Sequence, residues 1–218
     1  VKRPRFLKRL LRSLTHKRAV LLTGSRRVGK TTLLYQVIAE LLSRKIDPHC
    51  IFYALMDHPQ LQSASILDLV TKFRAHFDLK RRTKIYLFLD EIQYSPNWEQ
   101  EVKALLDVEN VKIFLSGSAS SQLILKSHYL TGRLEKIDIF PLDFREFLFF
   151  KKVKIQETEH YRFGHYLDEF LKTGGYPEYV LKKDISYFTD LINGILFKDI
   201  VDFYKLKNPQ ALMDLVLL

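Results

Sequence analysis

One cysteine, one tryptophan and two methionines stand in 218 residues, and each scarcity excludes something. Cys50 alone cannot close an internal disulfide, so a reducing, cytoplasmic setting is the expectation. No apolar run approaches the roughly 20 residues of a membrane-spanning helix, and no membrane partner is expected. Lys2 to Arg12 is basic with no apolar stretch behind it, unlike a secretory signal. The histidines make no HxxxH or HExxH pattern and Cys50 has no CxxC partner. His49, Cys50 and His58 therefore read as residues flanking a strand, not as zinc ligands. Internal repeats and low-complexity stretches are missing too. With 47% apolar and 28% charged residues, the chain has material for a core and falls outside the disordered class.

Acidic residues are nearly absent from the first 45 positions. These hold 13 Lys or Arg against the single acid Glu40, a local balance of +12, while the remainder of the chain sums to −2. Such a segment suits nucleotide phosphates, DNA or another polyanion, or an acidic partner. A solvated helix face accounts for the composition equally well.

Apolar periodicity sets out the elements. Phe6, Leu7, Leu10, Leu11 and Leu14 recur at helical spacing, and the run Ala19 to Thr23 reads as a buried parallel strand meeting a glycine. Helices are expected over 31–43, 66–77 and 98–106, and strands over 51–55, 85–89, 111–115 and 135–140. Another helix begins at 120–125. Short strands alternating with helices imply an α/β fold, a parallel sheet with helices on both faces. From about Leu142 the pattern turns mostly helical, with helices over 144–150, 161–172 and 187–204, broken at Gly174-Gly175-Tyr176-Pro177. Trp98, behind Pro96-Asn97, reads as a packed core aromatic. The apolar end Ala211 to Leu218 has no polar finish and asks for burial, the pattern of a piece of a longer protein.

The decisive motif is Gly24-Ser25-Arg26-Arg27-Val28-Gly29-Lys30-Thr31, which satisfies GxxxxGKT (Walker A) without a mismatch. Its glycines let successive backbone N–H groups converge on an anion, and the helix that follows, starting with Lys30, Thr31 and Thr32, adds the positive end of its dipole. Lys30 can reach the β- and γ-phosphates, and the Thr31 hydroxyl can ligate Mg²⁺. Arg26 and Arg27 could assist, although in such loops the backbone does most of the binding. The second motif is Tyr86-Leu87-Phe88-Leu89-Asp90-Glu91 (Walker B), an apolar strand that delivers two carboxylates to its C-terminal end. Asp90 there would hold Mg²⁺ through water, and Glu91 would polarise the attacking water. A helix-capping Asp beside a surface Glu is the other reading.

The strand Ile51–Leu55 lies between the two motifs, which suggests an inserted strand in the sheet. With a Glu after the strand-end Asp, the arrangement resembles the ATPase branch of P-loop proteins. Ser116 or Ser118 would then be a polar sensor near the γ-phosphate, unless Ser116-Gly117-Ser118 makes a tight turn. The blocks GSRRVGKTTLL, YLFLDEIQ, FLSGSAS, LTGRLEKIDIFPLDFREF and GGYPEYV, in this order from about Arg5 to Val180, resemble a large group of prokaryotic AAA+-like ATPases. Members typically carry a further C-terminal domain. The resemblance implies an ATP-binding α/β domain, a helical lid and kinship with signalling NTPases that bear a Gly-x-Pro lid motif. Here that motif is Gly175-Tyr176-Pro177, with Pro177 near the adenine, against the reading of an ordinary helix-breaking turn. It also implies that Arg133, just before the fifth strand, reaches a neighbouring subunit's γ-phosphate in a homo-oligomer, against the reading of a surface salt bridge.

The expectation is a P-loop ATPase domain over residues 1–155, then a smaller, mostly helical lid and the start of a C-terminal region over 156–218. Its ligands would be ATP or ADP and Mg²⁺, and hydrolysis would drive a conformational switch. The alternative is a nucleic-acid-binding regulator in which ATP is mainly a structural ligand. A small-molecule kinase lacks an evident acceptor-binding motif.

Overall fold

Short runs rich in Val, Ile, Leu and Phe become five strands in the computed structural model: β1 (Ala19–Gly24), β2 (Ile51–Leu55), β3 (Ile85–Asp90), β4 (Val111–Ser118) and β5 (Leu134–Asp138). The structure describes residues 1–118, 123, 128–154, 159–184, 186–201, 205–206 and 208–217. All strand pairs are parallel, in the order β2-β3-β4-β1-β5. Every residue of β3 and β4 is buried, as expected of parallel strands covered on both faces. One correction follows. The strand β2, which the sequence places between the two motifs, lies at the sheet edge, and the strand inserted between β1 and β3 is β4.

Alternation along the strands divides the core in two. Leu21, Leu87, Leu89, Ile113 and Leu115 pack with Val70, Trp98, Val102 and Leu105 from the helices α3 (Ile66–His76) and α4 (Trp98–Val108). The intervening Val20, Leu22, Phe88 and Phe114 are also fully buried, and the rings of Phe88 and Phe114 stack 5.0 Å apart. The helix α2 (Lys30–Ser43) packs on β1 and β4 and is covered by α1 (Pro4–Arg12), whose Leu7 and Leu10 are buried. Ser65 caps α3 by accepting from the Asp68 N–H.

At the N-terminal end of the sheet, the buried ammonium of Lys112 donates to the carbonyls of His16 (3.1 Å) and Arg18 (2.7 Å). Burial pushes its pKa down to about 8; the nearby Lys84 adds to that lowering and Glu135 opposes it.

Two compact units emerge. One comprises Lys2–Gly24 and Lys30–Ile139, and the other comprises Val1, Ser25–Gly29 and Phe140–Leu218. The second holds α5 (Phe144–Phe150), α6 (His160–Thr173), α7 (Pro177–Lys182), α8 (Ser186–Asn193), a π-helical segment Gly194–Val201 and α9 (Pro209–Leu217). Its core is Leu142, Phe147, Phe150 and Val180, with Phe144, Tyr166 and Phe170 against them. The units divide at Ile139–Phe140, whereas the sequence pattern puts a boundary near 155, because α5 packs with the helices that follow it. The helix expected at 120–125 falls outside the described residues except Leu123, which is buried.

Candidate active site

The chain leaves β1 at Gly24 and enters α2 at Lys30, so the phosphate loop is the short connection at a strand's C-terminal end. Gly29 has φ +98°, and a Cβ built there meets nothing within 4 Å; it is backbone conformation, not space, that calls for glycine. Arg27 also takes positive φ (61°), a position that an L-residue holds only under constraint. Val28 is buried, Ser25 and Thr31 are half-buried, and Thr32 is exposed. Lys30 is 5% exposed, and its ammonium donates to the Gly24 carbonyl at 3.0 Å, folding back over the loop's start.

The Arg26 and Arg27 side chains engage the second unit's own helices. The Arg27 guanidinium lies 4.8 Å from the Tyr187 ring centre, donates to the Tyr187 carbonyl (3.4 Å) and faces Asp190 at 3.7 Å. It lines a cavity of about 240 Å³ with Tyr179, Lys182, Ser186, Tyr187 and Asp190. Arg26 runs alongside Gly194.

At the end of β3, Asp90 is completely buried and accepts on both oxygens. Oδ1 takes the Ser116 hydroxyl and, at 3.2 Å, the Glu91 N–H; Oδ2 takes the Tyr53 hydroxyl at 3.0 Å. The two neighbouring strands and the next residue of the chain therefore aim three donors at one carboxylate, and its desolvation is met by hydrogen bonds. Burial first, then Tyr35's side-chain hydrogen bond and the Asp90 charge, raise the Tyr53 pKa far above its ordinary value. Ser116 pairs with Leu22 inside β4, so Ser116-Gly117-Ser118 is strand, not the tight turn.

Glu91 sits in the left-handed region (φ 53°, ψ 48°), and its carboxylate accepts from Gln93 Nε2 at 2.6 Å. Gln93 crosses so close to β4 that a Cβ on Gly117 would lie 2.5 Å from its Oε1. Tyr53 and Gln93 were not singled out in the sequence. Both stand within two or three residues of strand-end positions, a signal that becomes visible only once β2, β3 and β4 are known to be neighbours.

Pro177 is the first residue of α7, with Tyr176 preceding it as N-cap, so the Gly-Gly-Tyr-Pro segment starts a helix as well as ending one. Arg133 lies at the opposite end of the sheet from Gly24. Its carbonyl accepts from Ala19 N, one β1 length (roughly 16 Å at the usual rise per residue) from the loop. Its guanidinium makes a two-pronged pair with Asp107 at 3.1 and 3.4 Å, both side chains nearly half exposed.

A GxxxxGKT loop after β1, a buried strand-end Asp on β3 and β4 inserted between them define a P-loop NTPase of AAA+ type. The AAA domain family matches residues 16–148, and the chain belongs to that family. It is similar to two uncharacterised proteins of Methanocaldococcus jannaschii. One is 32% identical over 87% of this chain and 43% of the relative; the other is 35% identical over 72% and 33%. The chain thus spans less than half the length of either relative. Among solved structures it resembles AMPPCP-bound DnaA from Aquifex aeolicus, with a TM-score of 0.53 at 16% identity over 90% of this chain and 63% of that one. That likeness is one of fold. No helix among the described residues is long and apolar enough to cross a membrane.

Proposed function

We propose that this protein binds ATP with Mg²⁺ and hydrolyses the γ-phosphate, and that the cycle drives a conformational switch between an ATPase domain and a helical lid. The observation that carries the reading is the buried Asp90, held by Ser116, Tyr53 and the Glu91 N–H, on the strand beside the one that adjoins β1. The donor set suits a hard cation, since the Thr31 hydroxyl and the Asp90 carboxylate are oxygen ligands; with three hydrogen bonds already on Asp90, its remaining acceptor position would reach the ion through water. Bound there, Mg²⁺ would supply charge neutralisation to the transferring phosphoryl group.

The chain's own groups have separate tasks. The phosphate loop, Gly24 to Thr31 with Thr32 behind it, supplies N–H donors, and Lys30 supplies a positive charge. Glu91 orients and deprotonates the attacking water, and Gln93 fixes the carboxylate that does so. Ser116, already bonded to Asp90, couples the state of that carboxylate to β4. Pro177 as a contact for the base and Arg133 as a contribution from a neighbouring copy belong to the same proposal. ADP is the product that remains.

Titration of purified protein with a labelled ATP analogue, alongside a phosphate-release assay, tests the reading. Tight, Mg²⁺-dependent binding that Lys30→Ala abolishes is expected, with Asp90→Asn weakening the Mg²⁺ dependence. Lys30→Ala protein that binds as tightly as the parent would remove the loop from the site.

A further inference from the structure

The parallel sheet gathers at its N-terminal end two cationic loops that are far apart in sequence. The segment before β1 carries Lys17 and Arg18, and the segment before β3 carries Lys80, Arg82 and Lys84. The start of β4 fastens both. Asn110 donates to the Arg82 carbonyl (2.7 Å) and accepts at its own carbonyl from Ile85 N (3.1 Å), while Lys112 holds the His16 and Arg18 carbonyls. The loops therefore flank one strand terminus as neighbours.

All five cationic side chains are exposed, and among the described residues none forms an ion pair. The acids nearby, apart from the exposed Asp78, are already engaged. Glu109 takes Arg74 (2.9 Å) and Arg81 (2.9 Å), Asp107 takes Arg133, and Glu135 takes Arg9 (3.0 Å).

We propose that this end of the sheet binds the phosphate backbone of a double-stranded nucleic acid, without reading sequence. Charge complementarity selects a polyanion. Among the described residues at this end, the exposed large apolar side chains are Val108 and Tyr129, which stand outside the two loops, so the loops themselves carry no large apolar anchor of the kind a protein interface uses. Five cations on two loops fixed by backbone hydrogen bonds suit a rigid ladder of phosphates. The proposal goes beyond the nucleotide site and does not depend on it, since these residues lie a strand's length from Gly24.

The test is fluorescence anisotropy with a labelled duplex of about 30 base pairs, from low salt (about 50 mM) upward, where each phosphate contact contributes roughly 0.9 to the slope of log K against log salt. The parent should bind at low salt with a steep slope. Arg82→Glu with Lys84→Glu, and separately Lys17→Glu with Arg18→Glu, should each weaken binding at least about tenfold and flatten the slope by about two contacts. The backbone carbonyls of Arg18 and Arg82 fasten the loops, so these reversals leave those hydrogen bonds in place, although Lys84 gives up its place over the Tyr86 ring, 5.4 Å away. ATP binding in the same preparations confirms folding and keeps failure of this surface distinct from failure of the nucleotide assignment. The proposal is overturned if the parent does not bind duplex at low salt, or if both loop reversals bind like the parent. It is equally overturned if Lys2→Glu with Arg5→Glu removes binding while the loop variants keep it, or if anionic phosphatidylserine vesicles are bound and duplex is not.

Discussion

Glu91 holds a backbone conformation costing on the order of 1 kcal/mol or more for a side chain of its kind, and a neighbouring amide clamps its carboxylate. Strain retained at a strand end beside a buried Asp points to work done by that carboxylate. Glu91→Gln keeps the side chain's size and removes only its basicity. ATP affinity should therefore stay within a few-fold, while turnover falls about 10² to 10⁴-fold, the usual contribution of a general base. Binding by anisotropy and phosphate release read the two separately, and unchanged turnover moves the base elsewhere. Lys112 presents the opposite case, a buried charge whose task is structural. Lys112→Met leaves the His16 and Arg18 carbonyls without their donor and should cost about 1–3 kcal/mol in urea unfolding. The parent has a sign to check as well. Its folded pKa of about 8 lies below the ordinary 10.5, so between those values the unfolded chain binds more protons and stability rises with pH. The methionine variant should lose that rise, and an identical pH profile in both proteins would sink the assignment.

At the scale of elements, the glycine pair before α7 shows how tightly a loop can be specified. A Cβ on Gly175 would lie 2.2 Å from the Leu142 carbonyl oxygen and 2.8 Å from its nitrogen, and Leu142 N donates to the Gly175 carbonyl at 2.6 Å. Backbone cannot yield as a side-chain tip can. Gly175→Ala should destabilise the helical unit by about 1–3 kcal/mol, and hydrogen exchange of α5 and α7 would detect it; protection equal to the parent's would contradict this packing. At Gly174 a Cβ would meet only the Tyr176 ring at 4.0 Å, so alanine there should cost the strain of φ +66° without the backbone clash that Gly175 has. The strands were legible because doubly covered parallel strands are uninterrupted apolar runs, and the phosphate loop because its glycines and lysine are spaced by the phosphate it holds. Strand order was not. Chain order puts β2 between the motifs, but which strand enters the middle of a sheet depends on crossover connections that no local pattern records. For the same reason Tyr53 and Gln93 stayed hidden, since their partners Asp90 and Glu91 are reached only through pairing. The helix α7 was missed because Pro177 was read as a breaker, when proline also suits a helix's first turn.

For the whole molecule, the open question is whether one copy suffices. Arg133 and Gly24 sit at opposite ends of β1, so the guanidinium cannot reach a phosphate held by its own loop without unfolding the strand between them. The pair it makes with Asp107 is exposed and is worth at most about 1 kcal/mol, so Arg133→Ala should barely change unfolding stability. A role in stabilising transferred phosphate in a second copy predicts a different result. Turnover should fall by a factor approaching the roughly 10³ of an arginine finger, with ATP affinity nearly unchanged, and turnover per molecule in the parent should rise with protein concentration. Mixing inactive Glu91→Gln protein with inactive Arg133→Ala protein gives the sharpest reading. At some mixed interfaces an intact Glu91 on the Arg133→Ala copy would meet an intact Arg133 on the Glu91→Gln copy, and activity should return toward a fraction of the parent's. No recovery, together with concentration-independent turnover, would reduce Arg133 to its pair with Asp107 and leave the protein a monomeric switch.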